Sequence, residues 1–216
     1  MSHQFDPFTD IRREILSILP HAAKNRAALE QLELGQLLIV YLNWTNRLVP
    51  QRTYRVHLSD TLQSNPLYRE PSCRYALDYI VGQLQKGHSV NAHLSERILI
   101  GYAENHPKRG KNLEGRRDLD LMLNDWGIHH LHLSTELQPN GFVKKTEMLL
   151  FAIFKQDAAY LIDIAKHGDW ARHDIATTIL RNWPDDGLIF ELRGMVPAQE
   201  SFTGVERRKL RSSGIV

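Results

Sequence analysis

The chain carries one cysteine, Cys73, in 216 residues, so no intramolecular disulfide can hold it and the fold must rest on packing. Long apolar runs are missing as well. Runs such as Leu37 to Leu42 and Met148 to Phe154 are far short of the ~18 residues a membrane span needs. The N-terminus shows no signal-peptide core, and together these predict a soluble, cytoplasmic protein without a membrane partner. There is no Gly-x-x-x-x-Gly-Lys, no Gly-x-Gly-x-x-Gly and no Gly-x-Ser-x-Gly. Nucleotide hydrolysis, dinucleotide redox chemistry and serine-hydrolase chemistry therefore have no sequence support. The absence of repeats and low-complexity tracts argues against a solenoid or linker-joined modules.

What is present is ordinary in bulk and uneven in detail. At 42% hydrophobic and 24% charged the composition is that of a globular chain, long enough to bury a core without staples. The net charge of +2 hides two basic blocks. His106 to Arg117 sets Lys108, Arg109, Lys111, Arg116 and Arg117 against Glu114 for +4, and Thr203 to Val216 carries +3, leaving −5 for the remainder. A basic block beside an acidic body suits phosphate contacts and would make nucleic-acid binding salt-dependent. A solvated loop and a frayed tail have the same composition.

Periodicity changes along the chain. Thr9 is a candidate N-cap for a helix ending before Pro20, and apolar residues at helical spacing from Ala22 to about Val49 predict a core helix closed by Pro50. Arg52 to Ser59 alternates as a short strand, and Asn65-Pro66 marks a turn. A third helix runs from a Ser72 cap to Gly87. After a polar stretch with His88, His93 and His106, Asp118 to Asp125 reads as a brief helix. Strands follow at Ile128 to Leu133, Met148 to Phe154 and Ala159 to Ile164. Pro139-Asn140-Gly141 is the strongest hairpin signal, and Lys155-Gln156-Asp157 a tight reversal. Asp169 caps a helix from Trp170 to Trp183, and Leu188 to Leu192 is a final strand. The expectation is an α+β fold: a helical region, 1–112, packed on an antiparallel meander, 113–216, that carries one further helix, all in one folding unit.

Three histidines occupy four consecutive positions in Trp126-Gly127-Ile128-His129-His130-Leu131-His132-Leu133. On a strand His130 and His132 share a face with Ile128, about 7 Å apart, while His129 projects with Leu131 and Leu133. A second polar group, Lys166-His167-Gly168-Asp169-Trp170, lies at a strand-to-helix junction. Whether His167 reaches His130 and His132 depends on strand register. Lys144 and Lys145 are further cations in the hairpin arm.

Three readings fit these residues. In metal-independent phosphodiester cleavage, one histidine takes a 2′-hydroxyl proton, a protonated histidine or lysine donates to the leaving oxygen, and Lys or Arg stabilises the phosphorane. RNA is then the substrate and no cofactor is needed. A second reading makes His130, His132 and His167, with Asp163 or Asp169, a metal-dependent hydrolytic centre. The third is structural, or a non-catalytic module that holds nucleic acid or protein through basic segments. Cys73, at the opening turn of a helix, is expected to pack quietly.

A helix followed by a compact meander bearing Trp-Gly-Ile-His-His-Leu-His-Leu and Lys-His-Gly-Asp-Trp is similar, in element order and residue chemistry, to bacterial ribonuclease toxins of the RelE and barnase/EndoU/colicin type. The likeness covers the chain from about Leu113 onward. It implies RNA cleavage without metal, with His130 and His132 as acid and base and Lys144, Lys145 or Arg181 on phosphate. The partners admitted are RNA, contacted also by Arg116 and Arg117, and a neutralising protein.

Overall fold

The computed structural model describes residues 6–102, 121–166 and 174–189. The chain separates into two compact units, one drawn from Met1–Val49 and Glu96–Asp118, the other from Pro50–Ser95 and Leu119–Val216. Instead of one boundary near residue 112, the chain leaves the first unit at Pro50 and re-enters it at Glu96.

The first unit is helical. Helix α1 spans Pro7–Ile18 and is capped by Asp6, whose carboxylate accepts from the Phe8 N–H; Pro7 occupies the first turn. The cap therefore sits before Thr9, because a proline at the first helical position is preorganised and needs no N–H partner. The long helix expected from Ala22 is broken into a 3₁₀ turn at Ala23–Asn25, α2 at Arg26–Glu30 and α3 at Leu34–Thr45. Glu33 and Gln36 form a reciprocal capping box that starts α3 afresh. Ile15, Leu19, Leu29 and Leu37 form the buried core. The Trp44 indole donates to the Ile98 carbonyl at 2.8 Å. The N–H groups of Gly101 and Tyr102 both donate to the Pro20 carbonyl at 3.0 Å. A side chain at position 101 would meet that carbonyl and Leu19 at 2.7 Å, so glycine is required there.

The second unit holds a four-stranded mixed sheet in the order β1-β4-β3-β2. The strands are β1 Arg55–Leu58, β2 His129–His132, β3 Met148–Lys155 and β4 Ala158–Lys166. The strands β2, β3 and β4 form the antiparallel meander the sequence predicts, but β1 adds to β4 in parallel. A purely antiparallel sheet is thus corrected to a mixed one. A parallel neighbour needs a long crossover, which the chain between Leu58 and Ala158 supplies. Residues 188 and 189 lie in a bend and not in a strand; the rest of the expected final strand lies outside the described residues.

The register skips Ile162, so Asp163 pairs with Phe151 while Leu161 pairs with Ala152. This bulge changes the phase of the second half of β4. Helices α4 Asp60–Ser64, α5 Pro66–Arg69, α6 Pro71–Lys86, α7 Leu121–Trp126 and α8 Asp174–Asn182 complete the unit. The N-cap of α6 is Glu70, not Ser72: its carboxylate accepts from the Cys73 N–H, and Pro71 again opens the helix. Gly87 closes α6 in the left-handed region at φ 74°, which glycine adopts without a Cβ clash. One sheet face packs Phe151, Ile153, Tyr160 and Ile162 against Ile175 and Ile179 of α8 and Met122 of α7. Among the described residues no helix is long and apolar enough to cross a membrane.

Candidate functional site

Opposed residues of an antiparallel pair share a sheet face, so the register orders the polar groups. His130 stands opposite Phe151, which stands opposite Asp163; His132 stands opposite Leu149, which stands opposite Ala165. His130, His132 and Asp163 therefore belong to the face that α8 covers. Because β2 and β4 both run antiparallel to β3, they run parallel to each other. Their C-terminal ends fall at the same end of the sheet, two strand spacings or about 10 Å apart. The junction that begins at Lys166 thus starts at the sheet end where β2 also ends, with β3 between the two strands. His167 and Asp169 themselves lie outside the described residues, as do Arg116 and Arg117.

The histidines differ sharply in environment. His129 is 8% exposed and faces the other side of the sheet, its ring edge-on to Phe154 at 5.4 Å. His130 is half-buried. His132 is 5% exposed. The Thr146 N–H donates to its Nδ1 at 3.2 Å, and the Thr146 carbonyl lies 3.3 Å from the same nitrogen. The Thr146 hydroxyl in turn donates to the Met148 carbonyl at 2.7 Å, which fixes the turn that enters β3.

Sequence reasoning passed over two groups that brace this region. His93, 2% exposed, donates through Nδ1 to the His132 carbonyl at 3.0 Å on the outer edge of β2. Burial holds its pKa below the usual histidine value, opposed only by that hydrogen bond. Asn65 spans the other side: its amide N–H₂ donates to the Asp163 carboxylate at 2.7 Å and to the Ile164 carbonyl at 2.8 Å, while its oxygen caps α5. Asn-Pro signals a turn and a cap. No local pattern could reveal that the same amide meets a buried carboxylate 98 residues away.

The cations are dispersed. Lys144 pairs with Glu136 at 3.1 Å, and both are exposed. Lys145 is exposed in the same arm, whose turn is closed by the Leu137–Val143 bridge. Arg181 donates to both oxygens of Asp60 at 2.8 and 2.9 Å and to the Thr61 hydroxyl at 2.8 Å. Its guanidinium is thereby oriented toward the start of α4. Cys73 is buried, with its thiol pushed up to about 11 by burial first and then by Glu70, which leaves it un-ionised and unreactive near neutral pH.

Among the described residues no group of three or more His, Cys, Asp or Glu side chains is placed to hold a metal ion. Comparison of the chain with protein-family models, with curated proteins and with solved structures finds no match.

Proposed function

We propose that the chain is a cytoplasmic, metal-independent endoribonuclease whose centre is the C-terminal end of β2 and β4. The observation that supports this reading is the register: it sets His130, His132 and Asp163 on one face and ends β2 and β4, the latter at Lys166, at the same end of the sheet. Histidines are suited to this chemistry because their ordinary pKa lies near working pH.

In the proposed reaction a neutral histidine accepts the proton of an RNA 2′-hydroxyl. The 2′-oxygen forms a bond to phosphorus, the bond from phosphorus to the 5′-oxygen breaks, and a second, protonated group donates to that leaving oxygen. The products are a 2′,3′-cyclic phosphate and a free 5′-hydroxyl. His130, the more accessible of the pair, is assigned to contact the substrate. His132, whose Nδ1 meets the Thr146 backbone, is the second candidate of the acid–base pair. His167 is the third candidate, and Lys144 and Lys145 lie in the arm between β2 and β3 where a backbone phosphate would pass.

The test is cleavage of mixed-sequence RNA by wild type, His130→Ala and His132→Ala, with and without chelator, each variant first shown to be folded by circular dichroism. Cleavage by wild type that survives chelation and falls at least about a hundredfold in the variants is expected. Loss on chelation alone would transfer the activity to a metal centre. Absence of cleavage together with salt-dependent RNA retention would make the protein a non-catalytic binding module.

A further inference from the structure

Helix α3 carries two apolar stripes, and packing within its unit uses one. At about 100° per residue, Leu37, Tyr41 and Trp44 fall on one side. There Leu37 is fully buried, and Tyr41 and Trp44 pack half-buried against the same core. Gly35, Ile39, Leu42 and Asn46 line the opposite side at alternating helical spacings. Ile39 is 61% and Leu42 56% exposed, and Gly35 and Asn46 are exposed with them. A Cβ at Gly35 would meet nothing among the described residues. Packing inside the chain thus gives no reason for a glycine that weakens the helix, whereas close approach of a second backbone does.

From Leu34 to Asn46 there is no charged side chain. A neutral strip offers no grip to a nucleic acid, and it lacks the Lys and Arg that hold an apolar helix on a lipid surface. It suits its own copy, which it meets without like-charge repulsion. The order of its side chains fits the same partner. About a twofold axis between Val40 and Tyr41, two antiparallel copies of α3 set Ile39 against Leu42 and Gly35 against Asn46 at once. Large side chains then meet at the centre, and at each end an amide meets a residue without a side chain. The antiparallel arrangement also opposes the two helix dipoles favourably. We infer that the outward stripe of α3 is a homodimer interface, formed by antiparallel pairing of α3 with its copy.

The experiment is sedimentation equilibrium of the full chain from about 5 to about 300 µM, comparing wild type, Ile39→Glu, and the double variant Ile39→Glu with Leu42→Lys. Both positions are exposed, so neither change opens the core, and circular dichroism checks that helix content is unchanged at the lowest concentration. Wild type is expected to dimerise with a Kd of about 10–100 µM, as fits a small interface. Ile39→Glu sets an unpaired carboxylate against Leu42 and is expected to weaken the dimer at least about tenfold. The double variant is expected to recover most of that loss, because antiparallel pairing places the unlike charges opposite each other and parallel pairing does not. Wild type that stays monomeric throughout would overturn the inference and leave the stripe to a different protein or a lipid surface. A dimer indifferent to Ile39→Glu would overturn it by placing the interface elsewhere on the chain. A double variant no stronger than the single one would overturn the pairing of Ile39 with Leu42.

Discussion

Leu37 in the helical unit and Leu161 in the sheet unit are both fully shielded from solvent, yet their surroundings differ. Leu37 belongs to a small buried core with Ile15, Leu19 and Leu29, ringed by half-buried side chains from short helices. Leu161 sits in the strand flanked by β1 and β3, where backbone pairing holds its neighbours on both sides. A helix packed by one stripe can shift to fill a gap. A strand paired on two sides cannot move without breaking its ladder. The sheet is therefore the rigid element, and the candidate site is built on it.

The largest expected effect comes from Leu161→Ala, with a loss of about 3–5 kcal/mol because the cavity stays open. Leu37→Ala is expected nearer 2–3 kcal/mol, since the helices around it can close in part. Denaturant midpoints give the totals, and amide exchange shows where protection is lost. Equal costs, or loss of sheet protection in Leu37→Ala, would erase the distinction between the units.

Ser59→Ala is a smaller perturbation inside the sheet unit. The buried Ser59 hydroxyl donates to the Ile162 carbonyl and accepts from the Leu62 N–H at 2.9 Å, so it serves as the cap of α4 and braces the bulge at once. A cost of about 1–2 kcal/mol in chemical denaturation is expected. A neutral result would mean that the bulge does not depend on this brace.

How much of this was legible in the sequence depended on range. The runs Met148 to Phe154 and Ala159 to Ile164 are read as strands from composition alone, and the reversal at Gln156 and Asp157 follows from their proximity. Helix α6 is legible from its apolar spacing and Gly87. The order of the sheet is not, because the pairing of β1 with β4 joins residues about a hundred apart and leaves no local trace. For the same reason the period of β2 placed His130 and His132 on one face but did not reveal that His132 is buried and tied to Thr146. His93 stood in a polar stretch that offered no periodicity. Its value comes only from the edge strand it meets.

A gentler probe of that edge is pH. The folded-state pKa of His93 is held below its ordinary 6.5, so the unfolded chain binds the extra proton first. This contribution to stability is complete above 6.5 and is lost as pH falls through the lowered folded value. The denaturation midpoint of wild type is therefore expected to fall as pH drops below 6.5, and His93→Asn, which keeps a donor but does not titrate there, should flatten that part of the curve. Equal slopes in the two proteins would assign the dependence elsewhere. The smallest effect is expected from Arg181→Lys. The paired Asp60 is exposed, and surface pairs of this kind contribute little and are screened by salt. A large midpoint shift in this variant would show that the link between α4 and α8 matters more than its exposure implies.

The skipped residue at Ile162 gives β4 a property that substitutions cannot test. The strand behaves as two segments spliced out of phase. Deleting that residue would leave Ala158 to Leu161 facing as they do and bring Asp163 next to Leu161, still opposite Phe151, so the bulge would close with the polar row intact. The length of β4 can thus change by one residue at that point without changing which side chains share a row. Relatives of this chain that lack the unpaired residue would be expected to keep Asp163 in the row of His130.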